Sequence, residues 1–362
     1  MRAIRAPLEV VEVRDPEADE RSAVIRVGAC GLCRSDWHLW QGDWSWEHIG
    51  LELPRILGHE ASGVVESVGR GVTAVEPGQR VCIPFHEACG RCADCLAGWS
   101  HICPNADYIG STHDGAFAEL VRVPNADVNC IPLPDEIGEV EAAAMGCRYM
   151  TAYHAAVHRG RARAGEWAVV YGCGGLGLSL VQILKALALR VVAVDLDESH
   201  LALARQLGAD VAIDASADDP IEATETATGG GAQLSFDALG SATTSRQGLL
   251  SLRPRGRHVQ VGLTSSDDRG QASWPIDRIT FKELEVLGSI GNPLPAYREL
   301  LTLVAGGTFR PRELIRKTLR LEDVPAELEA MTAYGVAGFS VVTEFAPTGA
   351  GAAPPKTLRA EA

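Results

Sequence analysis

The sequence predicts an α/β protein, a doubly wound parallel sheet joined to a β-rich domain, and three observations carry that reading. Its 362 residues exceed what one hydrophobic core usually organises, which points to two domains. Up to about Tyr149 the chain runs in short alternating stretches broken by glycine and proline, as in ASGVVESVGRGVTAVEPGQRVCIPF. From there apolar strands alternate with helix-length segments, the signature of a parallel sheet with crossover helices.

In the second half, WAVVYG, VVAVD, ADVAID, QLSFDAL, RHVQVG and LEVLGSI read as six strands. Segments such as LGLSLVQILKALAL and ESHLALARQLG supply helices between them. Strands and crossovers in this number suggest a doubly wound dinucleotide-binding fold. Around WPIDRITFKE the pattern is less regular. Beyond Gly291 come a helix around AYRELLTLVAGG, another around VPAELEAMTAYG, and a closing strand FSVVTEF. That strand has no sheet of its own here and is expected to return to the first domain. The tail from Ala346 to Ala362, rich in Ala, Gly and Pro, reads as disordered.

Hydrophobic residues at 46% and charged residues at 22% match an ordinary globular protein. A formal charge of -14 with no Lys/Arg cluster argues against nucleic acid as a partner, since phosphate neutralisation needs a basic face. The expected partner is a small molecule; the acidic surface also serves plain solubility. Met1 to Leu8 shows no apolar core behind a basic start, so a cytoplasmic setting is expected. The apolar stretch from Trp167 to Val194 is interrupted by glycines, Lys185 and Arg190, and reads as a buried βαβ unit, not a membrane span.

Ten cysteines in such a setting suggest metal ligands or reduced thiols before disulfides. Cys89, Cys92, Cys95 and Cys103 are grouped in CGRCADCLAGWSHIC. Four thiolates close a tetrahedral zinc shell with no open position, which is a structural site. Four reduced thiols or an iron-sulfur cluster are the alternatives. A scattered second set comprises Cys33, His59, Glu60 and Cys147. One His with two Cys gives a zinc with three protein ligands and a fourth position for water or an alkoxide. Taken singly, Cys147 also fits a small buried hydrophobe and His59 a core or capping histidine.

The stretch VVYGCGGLGLSL sets Gly172, Gly174 and Gly177 as G-x-G-x-x-G between a strand and a helix, with Gly175 and Leu176 inside the turn. Backbone can there approach a pyrophosphate at a helix N-terminus. The next strand ends in Asp195, at the distance where a carboxylate binds the adenosine ribose. A carboxylate there repels the extra phosphate of NADP, so NAD is the expected coenzyme.

The run CGLCRSDWH, then GHEASGVVESVGRGV, the four-cysteine lobe and the glycine-rich turn, in that order, resembles the zinc-containing medium-chain alcohol dehydrogenases. The resemblance extends from about Ile4 to Phe345. It implies a GroES-like catalytic domain interrupted by a Rossmann domain: 1–149 with a structural zinc lobe at about 86–105, 150–290 for NAD, a return over 291–346, and the tail 347–362. By the same resemblance Cys33, His59 and Cys147 are the catalytic zinc ligands, and Glu60 is the neighbouring carboxylate able to approach the metal transiently. Asp36 orients the zinc-bound histidine. Ser35 and His38 form a proton relay through the cofactor ribose, Arg34 meets the pyrophosphate, and His200 stands where a cationic residue often lies near that ribose. One departure is GFSVV at Gly338 to Val342, where many relatives carry a cofactor-touching arginine.

Family position puts Ser35 and Phe85 beside the metal. Trp37, with Trp40, Trp44 and Trp46 nearby, fits an apolar substrate pocket, core packing or a subunit contact. The resemblance implies two zinc ions per chain, an alcohol, aldehyde or ketone substrate, and a homo-oligomer, a tetramer before a dimer. A reductase or dehydrogenase of the same architecture acting on a sugar, polyol or conjugated carbonyl is the enzymatic alternative. A zinc-stabilised binding protein without catalysis is the other.

Overall fold

The computed structural model describes residues 1–47, 51–334 and 336–345. The tail read as disordered, 346–362, lies outside the described residues.

Six strands form a wholly parallel sheet in the order Val211–Asp214, Arg190–Asp195, Trp167–Tyr171, Ala232–Asp237, Leu252–Gln260, Glu285–Gly288, with the β-branched residues concentrated in the first three. The first strand in sequence, Trp167–Tyr171, lies at the centre, where the winding reverses. That is the crevice in which a doubly wound sheet receives its ligand. The six segments read from the sequence are these six strands. Leu252–Gln260 starts earlier than RHVQVG suggests, because Leu252 pairs with Ala232 before the register shifts at Leu234 and Arg257.

Crossover helices cover both faces, and local chemistry fixes their starts. Asp197 accepts Ser199 N–H at the head of Glu198–Gln206, and Asp219 accepts Ile221 and Glu222 N–H ahead of Pro220 in Pro220–Thr228. Helix Gly175–Ala186 is apolar nearly all round and buries Leu178, Leu180, Val181, Ile183 and Leu184 completely. It can do so because it has the sheet on one side and helix Met150–Tyr153 on the other.

A second, mixed sheet runs Ile315–Arg320, Phe339–Glu344, Ala23–Leu32, Glu60–Val68, Arg80–Ile83, Ile131–Pro132. Ala23–Leu32 divides one edge between two partners: Ala23 to Arg26 pair with Leu120–Val123, and Cys30 to Leu32 pair with Phe339–Glu344. The closing strand therefore does return to the N-terminal sheet. Its parallel neighbour Ile315–Arg320 escaped the sequence reading, since IRKTLR leaves Lys317 and Arg316 exposed and carries little apolar signal. The change of pattern at Tyr149 falls inside a helical run from Glu139 to Arg159, wound more widely over Met145–Tyr149 and His154–Arg159. Among the described residues no helix is long and apolar enough to cross a membrane.

Candidate active site and metal centres

Strand Ala23–Leu32 ends where helix Arg34–Gln41 begins, and Cys33 is the residue between them. Three positions into the helix, Asp36 turns back under Cys33. Its fully buried carboxylate accepts Cys33 N–H at 2.9 Å, Gly58 N–H at 3.1 Å and His59 Nδ1–H at 2.9 Å. A buried carboxylate needs such donors. With Nδ1 committed as donor, His59 presents Nε2 as a lone-pair nitrogen, and that atom is buried without a partner.

Cys147 arrives from the widened helical turn Met145–Tyr149. The ligand atoms of Cys33, His59, Glu60 and Cys147 all lie within 4.8 Å of one another. The hydrogen bond from Cys147 holds the Cys33 thiol well below its usual pKa, and the same contact raises Cys147. Burial opposes a proton on His59, but Asp36 and the Cys33 sulfur outweigh it and raise the imidazole, so a cation bound at Nε2 would take the place of that proton. Two adjacent sulfurs and an orphaned imidazole nitrogen, all within 4.8 Å of one another, fit a divalent zinc ion.

Glu60 is held from the other side. Arg148 donates Nε to Oε1 at 2.9 Å, a terminal nitrogen to Oε2 at 2.5 Å, and its own N–H to Oε1 at 3.1 Å. Both side chains are buried, and the guanidinium also stacks on Phe339 at 3.8 Å. Arg148 was not singled out from the sequence. The available signal was a buried-strand glutamate, which calls for a cation, and an arginine next to a proposed ligand.

Ser35 Oγ lies 3.8 Å from Cys33 Sγ. His38 is buried, with Nδ1 2.7 Å from Asp43 Oδ2, and Trp44 stacked on its ring at 4.8 Å. Burial lowers the His38 pKa, against the pull of Asp43. Phe85 meets His59 edge-on at 6.3 Å and stacks on Tyr108. The tryptophans divide. Trp37 packs under the Arg34 guanidinium at 3.7 Å and donates to Thr332 Oγ1; Trp40 donates to Ala6 O; Trp44 donates to Thr264 O. All four, Trp46 included, pack against the core of the first domain. Arg34 is sandwiched between Trp37 and Tyr334 and donates to Met331 O.

The glycine-rich turn follows the central strand. Gly172 has φ of +87°, and a Cβ on Gly177 would sit 1.8 Å from Gly172 O, so neither position accepts a side chain. Gly174 caps helix Gly175–Ala186, whose second residue is Leu176. Asp195, at the end of the neighbouring strand, accepts Cys173 N–H at 2.5 Å from inside the turn, and Leu196 and Asp197 N–H. His200 Nδ1 lies 3.4 Å from Asp195 Oδ1. That contact raises the His200 pKa; burial works against the Asp195 charge, but His200 and the backbone donors outweigh it and lower the carboxyl. Arg148 joins the two sites, because it packs on Gly175 as well as Glu60: a Cβ there would lie 2.7 Å from Arg148 Cδ.

Cys89, Cys92, Cys95 and Cys103 sit in the lobe between the paired strands His86–Glu87 and Asp107–Tyr108. Their sulfurs lie within 4.8 Å of one another, 4.0 Å for Cys89 and Cys95 and 3.7 Å for Cys92 and Cys103. Beside the lobe, His86, His101 and His154 form a buried group that sequence reading did not identify.

A dinucleotide-binding sheet inserted into a mixed-sheet domain that carries a Cys-His-Cys cluster and a four-thiol lobe defines a metal-dependent dehydrogenase. The chain belongs to the zinc-containing medium-chain alcohol dehydrogenase family. Residues 19–135 match the alcohol dehydrogenase GroES-like domain, and residues 175–306 match the zinc-binding dehydrogenase domain. It is 36% identical over 325 residues to an alcohol dehydrogenase of Geobacillus stearothermophilus, covering 90% of this chain and 92% of that one. An L-threonine 3-dehydrogenase of Bacillus subtilis is 31% identical over 327 residues, covering 89% and 91%. Among solved structures, alcohol dehydrogenase TADH from Thermus sp. ATN1 superimposes with a TM-score of 0.87 at 29% identity, covering 95% and 98%. The fold class and family implied by the motifs are those found. Zinc and a nicotinamide cofactor come with that family.

Proposed function

We propose that the protein catalyses reversible hydride transfer between a primary or secondary alcohol and NAD, using one catalytic and one structural zinc per chain. The observation that carries this reading is the buried, unpartnered Nε2 of His59 amid the sulfurs of Cys33 and Cys147. A zinc ion held by Cys33, His59 and Cys147 would supply Lewis acidity to a bound alcohol, and a nicotinamide at the glycine-rich turn would supply the hydride acceptor.

The chain's own residues do the rest. Asp36 fixes the His59 tautomer so that Nε2 faces the ion. Glu60 lies within reach of the same site, its carboxylate held by Arg148. Ser35 and His38 accept the alcohol proton and pass it outward. Phe85, beside His59, forms an apolar wall for the substrate, and Trp37 extends the apolar surface from the side of Arg34. Gly172, Gly174, Gly175, Leu176 and Gly177 offer backbone to a pyrophosphate with Arg34 close to it. Asp195 takes the ribose hydroxyls and disfavours NADP, and His200 tempers that charge. Cys89, Cys92, Cys95 and Cys103 fill a four-sulfur zinc shell and leave no place for substrate.

The division into 1–149, 150–290 and 291–346 belongs to this reading. So does a cytoplasmic setting, in which the ten free cysteines stay reduced. Exposed Ile276 and Phe281, together with the free edge of Glu285–Gly288, support a homo-oligomer. The test is metal analysis paired with an NAD-reduction screen over primary, secondary, cyclic and aromatic alcohols, polyols and L-threonine. Two zinc equivalents with turnover of simple alcohols is the expected result. Turnover of polyols or L-threonine alone would reassign the substrate, and one equivalent with no turnover would leave a zinc-stabilised binding protein.

A further inference from the structure

Asp43 has no part in the scheme above, yet it is buried and spends both carboxylate oxygens. Oδ2 lies 2.7 Å from His38 Nδ1, and Oδ1 accepts Ser266 N–H at 3.2 Å. Ser266 lies beyond the fifth strand of the dinucleotide-binding sheet. The next residue repeats the connection, since Trp44 stacks on His38 while its Nε1 donates to Thr264 O at 3.0 Å.

The helix terminus sets this arrangement. Helix Arg34–Gln41 ends at Gly42, with φ of +80°. Gly42 N–H bonds Leu39 O, and Asp43 N–H reaches back to His38 O at 3.0 Å. The backbone that closes the helix thus returns Asp43 to the residue whose ring it holds. Trp44 then takes a left-handed φ of +67°, which turns its indole onto the imidazole.

With Nδ1–H donated to Asp43, Nε2 is the unprotonated nitrogen and the atom able to receive a proton. We infer that Asp43 is the positioning residue of the His38 relay and couples it to contact between the two domains through Ser266. In the forward direction the proton leaves the alcohol, arrives on His38 Nε2 and departs to a solvent base, while Asp43 keeps its charge beside the transient imidazolium. The charged and titratable groups facing His38 are Asp43, Arg34 and Cys33, and its flanking rings are Trp37 and Trp44. This inference rests on the proposed dehydrogenase reading.

The experiment uses the zinc-loaded full chain with NAD and the best alcohol from the screen, and compares the wild type with Asp43→Asn, His38→Gln, the double variant and Trp44→Phe. Asp43→Asn should lower kcat about 10- to 100-fold with KM for alcohol nearly unchanged. Removing the carboxylate lets burial push His38 further down, so the acid limb of kcat/KM should move to lower pH. The double variant should be no slower than His38→Gln, because Asp43 acts only through that ring. Trp44→Phe keeps the stack and should cost only a few-fold. A wild-type kcat and pH profile in Asp43→Asn overturns the inference, as do losses that multiply in the double variant. If the wild type itself turns over no alcohol, both this inference and the dehydrogenase reading fall, whereas the first two results leave that reading standing.

Discussion

Replacing Arg148 by Met isolates the buried pair that ties the metal cluster to the cofactor turn. Glu60 is fully buried and Arg148 nearly so, and three donors on Arg148 serve one carboxylate. Removing the guanidinium leaves the carboxylate with the metal site as its sole nearby counter-charge among the described residues, which costs up to about 3–5 kcal/mol. The stack on Phe339 adds up to about 2 kcal/mol when desolvated, and Met recovers part of that through apolar contact. Glu60→Gln should cost somewhat less, because the amide still accepts one hydrogen bond from Arg148. The double replacement removes both charges, and neutral side chains of similar volume are often tolerated where a buried ion pair stood. Its cost should therefore fall below the sum of the singles by about 2–4 kcal/mol. The assay is urea unfolding of the three variants and the wild type near neutral pH in excess zinc, with metal content measured on each. Single costs that add in the double to within about 0.5 kcal/mol would refute the pairing argument.

Other expectations follow from neighbouring features. Burial pushes His86 and His154 down to about 3 and His101 to about 4. Unfolded histidine titrates near about 6.5, so the unfolded chain holds more protons across that interval, and stability rises with pH there. It is full above about pH 6.5 and declines below by up to about 1.4 kcal/mol per pH unit for each histidine; His154→Leu should flatten the decline of the urea midpoint, and an unchanged slope would count against it. Cys95→Ser should remove one zinc equivalent and expose the lobe to protease while the other ion stays; retention of both ions would contradict a four-sulfur shell. Asp195→Asn should raise KM for NAD about 10- to 100-fold and narrow the preference over NADP, as loss of a charge-assisted hydrogen bond implies. An unaltered KM would remove Asp195 from ribose recognition.

What the sequence made legible was what is local or periodic. The six parallel strands are apolar runs closed by glycine or a helix cap, and the four-thiol lobe is compressed into fifteen residues, so both can be read in place. The scattered cluster was different in kind. Cys33, His59 and Cys147 were named through order of motifs, and only the fold brings them together. Arg148 and Asp43 were missed because their roles depend on contacts the fold creates, Arg148 with Glu60 and Asp43 with the His38 ring past a helix terminus and with Ser266, that no spacing rule announces. The histidines at 86, 101 and 154 looked isolated in the chain, and strand Ile315–Arg320 is too charged to declare itself.

The pairing of Cys30 to Leu32 with Phe339–Glu344 has a bearing on biosynthesis. The strand that ends in Leu32 is made roughly three hundred residues before its partner Phe339–Glu344, so during synthesis of that long interval a row of backbone donors and acceptors beside Cys33 stays unmatched. Contacts between such distant residues form slowly, and unmatched strand edges invite intermolecular association. The dinucleotide-binding half, built from consecutive units, can fold while it emerges; the sheet of Ala23–Leu32 has to wait for Phe339–Glu344. Nascent chains halted before Phe339 should therefore aggregate through that unfinished margin, even with the nucleotide-binding half already formed.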